Sequence, residues 1–301
     1  MRTTRRGLLA GAMGVAAAAA LPAQASGVAT RVIPSSGEPI PAVGLGSWIT
    51  FNVGDDPVLQ DECTAVMRAF FAGGGAMVDS SPMYGSAQAV IGRGLESLGR
   101  PAGLFSADKV WISSGDAGPA QIAQSQRLWG VPAFDLLQVH NLLAWEEHLA
   151  TLQRMKADGR LRYVGITTSE GRRHDLFEQV MRTQKLDFVQ LTYNPLDREA
   201  EARLLPLAQE RGIAVIVNRP FRQGALTRRL EDEPLPDWAA EAGATTWAQL
   251  ILRHILGHPA VTTVIPATTR VDHVTENLQA AREPFPDAAM RRRIEAALQD
   301  L

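Results

Sequence analysis

Eight short apolar, β-prone runs alternate with helical patterns from residue 40 onward, and no other feature narrows the fold as much. The first is IPAVGLGSW (40–48), and the second runs from Ala76 through Met77, Val78 and Asp79 to Pro82 (76–82). The others are LFSADKVWI (104–112), FDLLQVHN (134–141), RYVGITTS (162–169), DFVQLTYNP (187–195), GIAVIVNRPF (212–221) and VTTVIPATT (261–269). Segments between them place apolar residues at i, i+3 and i+4, as in WEEHLATLQRMKADG and EAEARLLPLAQERG. The second ends on Gly212, a helix stop. Eight strand–helix pairs in about 240 residues are the count of an α/β fold of the (β/α)8 TIM-barrel type, built as a single domain. A doubly wound sheet is the competitor. It wants a Gly-rich turn leading from its first strand into a helix, whereas GLGS (44–47) leads into WITFNVGDDP. GLGS therefore reads as barrel entry.

The N-terminal stretch TTRRGLLAGAMGVAAAAALPAQA stands apart. Arg5 and Arg6 precede an uncharged segment from Gly7 to Leu21 and a small-residue site, Ala23-Gln24-Ala25. This is the layout of a twin-arginine export signal, cleaved after Ala25. Its apolar part is about 15 residues, against the roughly 20 needed to span a bilayer. The expected organisation is a signal at 1–25 and a barrel at 26–301, with no membrane span after cleavage and a periplasmic or secreted destination. That route carries folded proteins, which suits a chain that takes up an organic cofactor in the cytoplasm.

Cleavage removes Arg2, Arg5 and Arg6, and the formal charge moves from −2 to −5. No basic block remains, which argues against a nucleic-acid partner. The one cysteine, Cys63, lies in a helical pattern, so there is no internal disulfide and stability rests on the core.

Polar residues lie at or near the C-terminal side of seven of the eight runs: Asp79, Lys109, His140, Thr167 with Thr168, Gln190, Asn218 with Arg219, and Thr268. A barrel of this kind builds its site at that face. Lys109 is the most telling of them. Only three of the 30 basic residues are lysines, and this one lies inside a run that should be buried on both faces. An unpaired buried ammonium costs several kcal/mol, so it needs a partner, and Asp79 qualifies; a pair that merely fixes register is the plain alternative. Tyr84, five residues beyond Asp79, turns the reading toward chemistry. A free phenol has a pKa of about 10, and a nearby ammonium favours the phenolate, so Lys109 is expected to lower it. His140 can then donate a hydrogen bond to a substrate carbonyl. The other histidines mostly lie in helical patterns, none has HxH spacing and only His254 and His258 have HxxxH spacing, which gives little support to a metal site.

The order Asp79, Tyr84, Lys109, His140 resembles the catalytic tetrad of the aldo-keto reductases. GLGSW (44–48), the segment from Asp79 to Leu95 (SPMYGSAQAVIGRGL from Ser81 onward), DLLQVHN (135–141) and IPATTRVDHVTENLQA (265–280) are similar to that family's motifs along most of the mature chain. The resemblance implies NADPH-dependent reduction of an aldehyde or ketone, with NADH possible. Tyr84 would be the general acid, Lys109 and Asp79 would tune it, and His140 would orient the carbonyl. It also implies that Gln190 holds the nicotinamide carboxamide. Thr167 and Thr168 stand where the family has Ser-Asn, and Asn218 stands at its nicotinamide-stacking tyrosine, with Arg219 beside it and Phe221 as the alternative surface. After Pro266, Ala267 and His273 replace a Lys and an Arg that hold the 2′-phosphate. Thr268, Glu276 and Asn277 are retained, and Arg270 is the alternative phosphate partner.

Trp48, Trp111 and Trp145 would offer an aromatic wall to apolar or ring-bearing carbonyls, or simply pack the barrel. EPFPDAAMRRRIEAALQDL reads as a short closing helix, which leaves the pocket open. A competing reading is a non-catalytic barrel of the same family that binds nucleotide and reports redox state to a protein partner. A metal-dependent lyase or isomerase lacks the ligands it would need. Oligomeric state is not readable from the residues.

Overall fold

The computed structural model describes residues 27–299; the export-signal segment lies outside the described residues. Each of the eight runs contains a strand. In chain order these are β3 (Leu45–Gly46), β4 (Met77–Asp79), β5 (Phe105–Val110), β6 (Leu136–Val139), β7 (Tyr163–Thr167), β8 (Phe188–Thr192), β9 (Ala214–Asn218) and β10 (Thr263–Val264). They pair in sequence order and in parallel. The ends of the sheet meet: Val43 and Gly46 bridge in parallel to Val264 and Ala267. At this seam the Gly46 N–H donates to the Pro266 carbonyl at 3.1 Å. Only glycine fits there, because a methyl group on Gly46 would lie 2.7 Å from the Ile265 oxygen.

The first run, 40–48, holds two elements rather than one. Before the barrel, β1 (Thr30–Val32) and β2 (Pro39–Pro41) form an antiparallel hairpin, and the barrel strand begins only at Leu45. Pro39 and Pro41 can flank such a pair because an edge strand need not donate from every position. Ile33 and Ile40 pack with Met77, Phe105, Leu136, Tyr163, Phe188 and Ala214, which are the first residues of β4 to β9. The hairpin thus plugs the N-terminal end of the barrel with apolar side chains.

Helices cover the outside: α1 (Pro57–Ala72), α2 (Ala87–Ser97), α3 (Gly118–Trp129), α4 (Trp145–Ala157), α5 (His174–Thr183), α6 (Leu204–Arg211), α7 (Ala225–Arg229), α8 (Trp247–Leu256), α9 (Val271–Ala280) and the closing α10 (Ala288–Gln299). Their inner faces and the outer faces of the strands form the larger core, in which Cys63 is buried. Asp56 caps α1 by accepting from Val58 and Leu59, and Gly212 ends α6 at φ 63°. No described helix is long and apolar enough to cross a membrane.

Candidate active site

Side chains alternate faces along a strand, so every second residue of β4 to β9 points into the barrel. Following those positions upward, Met77 gives way to Asp79, Phe105 and Ala107 to Lys109, Leu136 to Gln138, Phe188 to Gln190, and Ile216 to Asn218. The interior therefore changes from apolar to polar within one or two steps. All the polar members arrive at the same end because the strands are parallel.

Asp79 is the hub of the polar layer. Its Oδ2 accepts from Lys109 Nζ at 2.5 Å, and its Oδ1 from Gln190 at 2.9 Å and Gln138 at 3.3 Å. Lys109 also donates to the Ser80 carbonyl at 2.7 Å and is fully buried. Burial works against its charge, but the adjacent Asp79 carboxylate outweighs it and raises the Lys109 pKa. This is the expected ion pair, with the remaining lone pairs of the carboxylate taken up by two buried amides.

Tyr84 follows a turn in which its N–H donates to the Ser81 carbonyl at 3.0 Å. Gly85 continues at φ 60° against the Asn52 side chain, and Asn52 accepts from the Ser86 N–H at 3.0 Å. The Lys109 ammonium lies 5.0 Å from the centre of the Tyr84 ring, and the His140 ring stands edge-on to it at 5.8 Å. The expected lowering of the Tyr84 pKa is not what results. Burial pushes the hydroxyl up, Lys109 pulls it down, Asp79 and Asp108 push it up again, and the net direction is upward. The phenol is accordingly held protonated, as a proton donor must be. His140 Nδ1 shares a hydrogen bond with Ser81 Oγ at 2.8 Å, and burial followed by the charge of Lys109 pushes its pKa down to about 2. The imidazole is neutral.

These groups open onto a cavity of about 550 Å³ at the C-terminal mouth. Its walls include Trp48, Asp79, Tyr84, His140, Thr167, Thr168, Gln190, Asn218, Arg219, Phe221, Thr268, Arg270 and His273. A single space thus runs from the tetrad to the start of α9. The aldo/keto reductase family profile matches residues 42–298.

The chain belongs to the aldo/keto reductase family.

It is 27% identical over 253 residues to the Escherichia coli methylglyoxal reductase YeaE, covering 82% of this chain and 88% of that one. It is 26% identical over 234 residues to the E. coli NADH-specific methylglyoxal reductase, covering 65% and 68%. An aldo/keto reductase from Klebsiella pneumoniae, solved with NADP and acetate, superposes with a TM-score of 0.72 at 22% identity, covering 87% and 92%.

Within this aldo/keto reductase, several residues fall outside the cavity walls. Pro266 turns its carbonyl to the barrel seam. Glu276 accepts from Thr246, the cap of α8, and Asn277 is buried in α9. Trp111 is 40% exposed, with its ring 6.5 Å from that of His140, at the rim rather than in the wall. Arg270 lines the cavity but is paired with Asp272 at 2.5 Å, and Arg219 with Glu170 at 2.6 Å. Gln190 has its amide nitrogen on Asp79, and its Oε1 accepts from Asn218 at 3.4 Å, with one lone pair left for a ligand.

Other residues of the site were not singled out by sequence. Gln138 has the signal of standing two residues before His140, on the same strand face. Ser81, Arg172 and Arg228 carry no such signal. Among the described residues one histidine–carboxylate group stands elsewhere: Glu201, His254 and Glu295. Its carboxylates already bind Arg198 and Arg291, which disfavours a cation there.

Proposed function

We propose that Tyr84 is the general acid of an NAD(P)H-dependent carbonyl reduction in which His140 orients the substrate. The protein is an aldo/keto reductase that acts on a small-molecule aldehyde or ketone. The observation that carries the residue assignment is the buried Lys109–Asp79 pair set beneath a protonated Tyr84 at the floor of the cavity.

Bound NAD(P)H supplies the hydride. The Tyr84 hydroxyl gives its proton to the carbonyl oxygen, and the Lys109 ammonium stabilises the phenolate left behind. Asp79, held by Gln138 and Gln190, keeps that ammonium in place. The neutral His140 hydrogen-bonds to the same oxygen and fixes the carbonyl in the attack geometry. A positioned acid of this kind contributes about 10²–10⁴ in rate, and hydrogen bonds to developing negative charge add to it.

The residues present fit a nicotinamide dinucleotide. The Gln190 and Asn218 amides and the Thr167 and Thr168 hydroxyls stand beside the tetrad, where a carboxamide would be held, and Phe221 offers a flat surface. Arg219, Arg270, Thr268 and His273 stand further along the same cavity, on the side that suits phosphate. NADPH is the first choice, and NADH is compatible with an Arg270 that is already engaged by Asp272. The comparison proteins include one solved with NADP and one named NADH-specific.

Replacing Tyr84 with Phe should abolish carbonyl reduction while tryptophan quenching by NADPH persists. Wild-type protein inactive on a broad carbonyl panel would instead favour the redox-sensing reading. Nothing in the site supports that alternative, since a sensor gains nothing from a complete proton-donating group.

Residues 1–25 would direct export by the twin-arginine route, to be checked by N-terminal sequencing of protein from outside the cytoplasm. A mature chain starting at Ser26, lost when Arg5 and Arg6 are both changed to Lys, supports it; retention of Met1 in the cytoplasm rejects it.

A further inference from the structure

We propose that Ser81 is a positioning residue for His140: its buried hydroxyl donates to Nδ1 and so fixes the imidazole as the Nε2–H tautomer, with that N–H presented to the cavity. The inference rests on the reductase reading above and deepens it. A carbonyl oxygen needs a donor opposite it, and only one of the two neutral tautomers provides one at Nε2.

The geometry is specific. Ser81 Oγ is 2.8 Å from Nδ1 of His140, and neither residue is more than 5% exposed. The same oxygen accepts the Met83 N–H at 3.2 Å. A serine hydroxyl has a single hydrogen; with an N–H already directed at its oxygen, that hydrogen is free to go to the ring. Nδ1 then accepts. In a neutral imidazole one nitrogen donates and the other accepts, and the partner of one ring nitrogen decides which form is present. The proton is left on Nε2, for which the described hydrogen bonds include no protein partner. His140 is neutral to begin with, for the reasons given above.

The sequence makes the arrangement local to the acid. Asp79 ends β4, and Ser80 and Ser81 continue the chain into the turn whose carbonyl at Ser81 takes the Tyr84 N–H. The group that fixes the histidine and the group that donates the proton therefore sit on one turn, and both move with the strand that carries Asp79. An alanine at 81 would keep this backbone but leave Nδ1 without a donor. The ring would then be free to place its lone pair, rather than its hydrogen, toward the substrate oxygen.

The test is a two-bond ¹H–¹⁵N spectrum of histidine-labelled protein, with the His140 signals identified by their loss in His140→Gln. The wild type should show the Nε2–H pattern. Ser81→Ala should shift His140 toward Nδ1–H or a mixture and lower kcat about fivefold, the size of one hydrogen bond, with the NADPH Kd unchanged. Ser81→Thr, which keeps the hydroxyl, should restore both. An Nδ1–H pattern in the wild type overturns the proposal, as does a Ser81→Ala spectrum identical to wild type. If Ser81→Ala does not fold, the wild-type and Ser81→Thr spectra still decide. The spectrum needs no turnover, so a failed reductase assay and a wrong tautomer are separate results.

Discussion

The two ends of the barrel interior are built by the same strands yet contrast in every respect. At the N-terminal end, Met77, Phe105, Leu136, Phe188 and Ala214 pack against Ile33 and Ile40 of the hairpin, and the charges nearby, Arg162 with Glu38 and Asp135, pair at the solvent-facing rim. At the C-terminal end, Asp79, Lys109, Gln138 and Gln190 form a hydrogen-bonded group beneath an open cavity. The change takes one or two steps along each strand. The dry, sealed end contributes packing, and the chemistry sits where the interior is polar and open. The Asp79–Lys109 pair is the exception that serves both, because each ion is too buried to stand alone.

That exception gives the largest effect. Lys109→Met should leave the Asp79 carboxylate without its counter-ion, cost about 3–5 kcal/mol in urea unfolding, and remove measurable reduction as well. An active or fully stable variant would break the claim that this pair joins the two roles. Phe188→Ala tests the opposite end: truncating a buried phenylalanine costs about 3–5 kcal/mol, while kcat of the folded protein should stay within about twofold. A large fall in kcat would show that the apolar end tunes the mouth after all.

A smaller effect concerns Asp108, which faces outward from β5 beside Lys109. It is fully buried and accepts from Gln88 at 2.8 Å and from the Lys109 N–H at 2.7 Å. Burial raises its pKa from 3.8 to about 7. Between those values the folded chain binds a proton that the unfolded chain has lost, so stability falls as pH rises. At about 1.4 kcal/mol per pKa unit, the loss from pH 5 to pH 8 should be about 3 kcal/mol. Asp108→Asn should remove that part of the pH slope in thermal melts, and an unchanged slope would assign it elsewhere. The smallest effect lies at the rim. Asp272→Ala should free Arg270 for phosphate and tighten NADPH about two- to fivefold relative to NADH, in keeping with the modest worth of an exposed ion pair. No change in that ratio would remove Arg270 from the phosphate site.

The sequence made the barrel readable because each strand run is set off by a helical period and a polar end, and eight such units admit few folds. The ion pair was readable for a related reason: a lysine inside an apolar run demands a partner. What stayed hidden depends on contacts between distant residues. The hairpin escaped notice because Pro39 and Pro41 look like turn residues until Ile40 is seen against the strand starts. The direction of the Tyr84 pKa depends on how burial compares with one ammonium, and spacing carries no measure of burial. Gln138 and Ser81 are ordinary polar residues in sequence; their partners, Asp79 and His140, are 59 residues away in both cases. Glu276 and Asn277 were placed by resemblance; in the fold Glu276 is engaged by Thr246 and Asn277 is buried in α9.

The Asp79 carboxylate draws its donors from positions 30, 59 and 111 residues further along the chain. Lys109 on β5, Gln138 on β6 and Gln190 on β8 are all needed to complete this shell, so the buried carboxylate is fully matched only in the finished barrel. For a polypeptide proposed to leave the cytoplasm only as a finished article, that is a useful property.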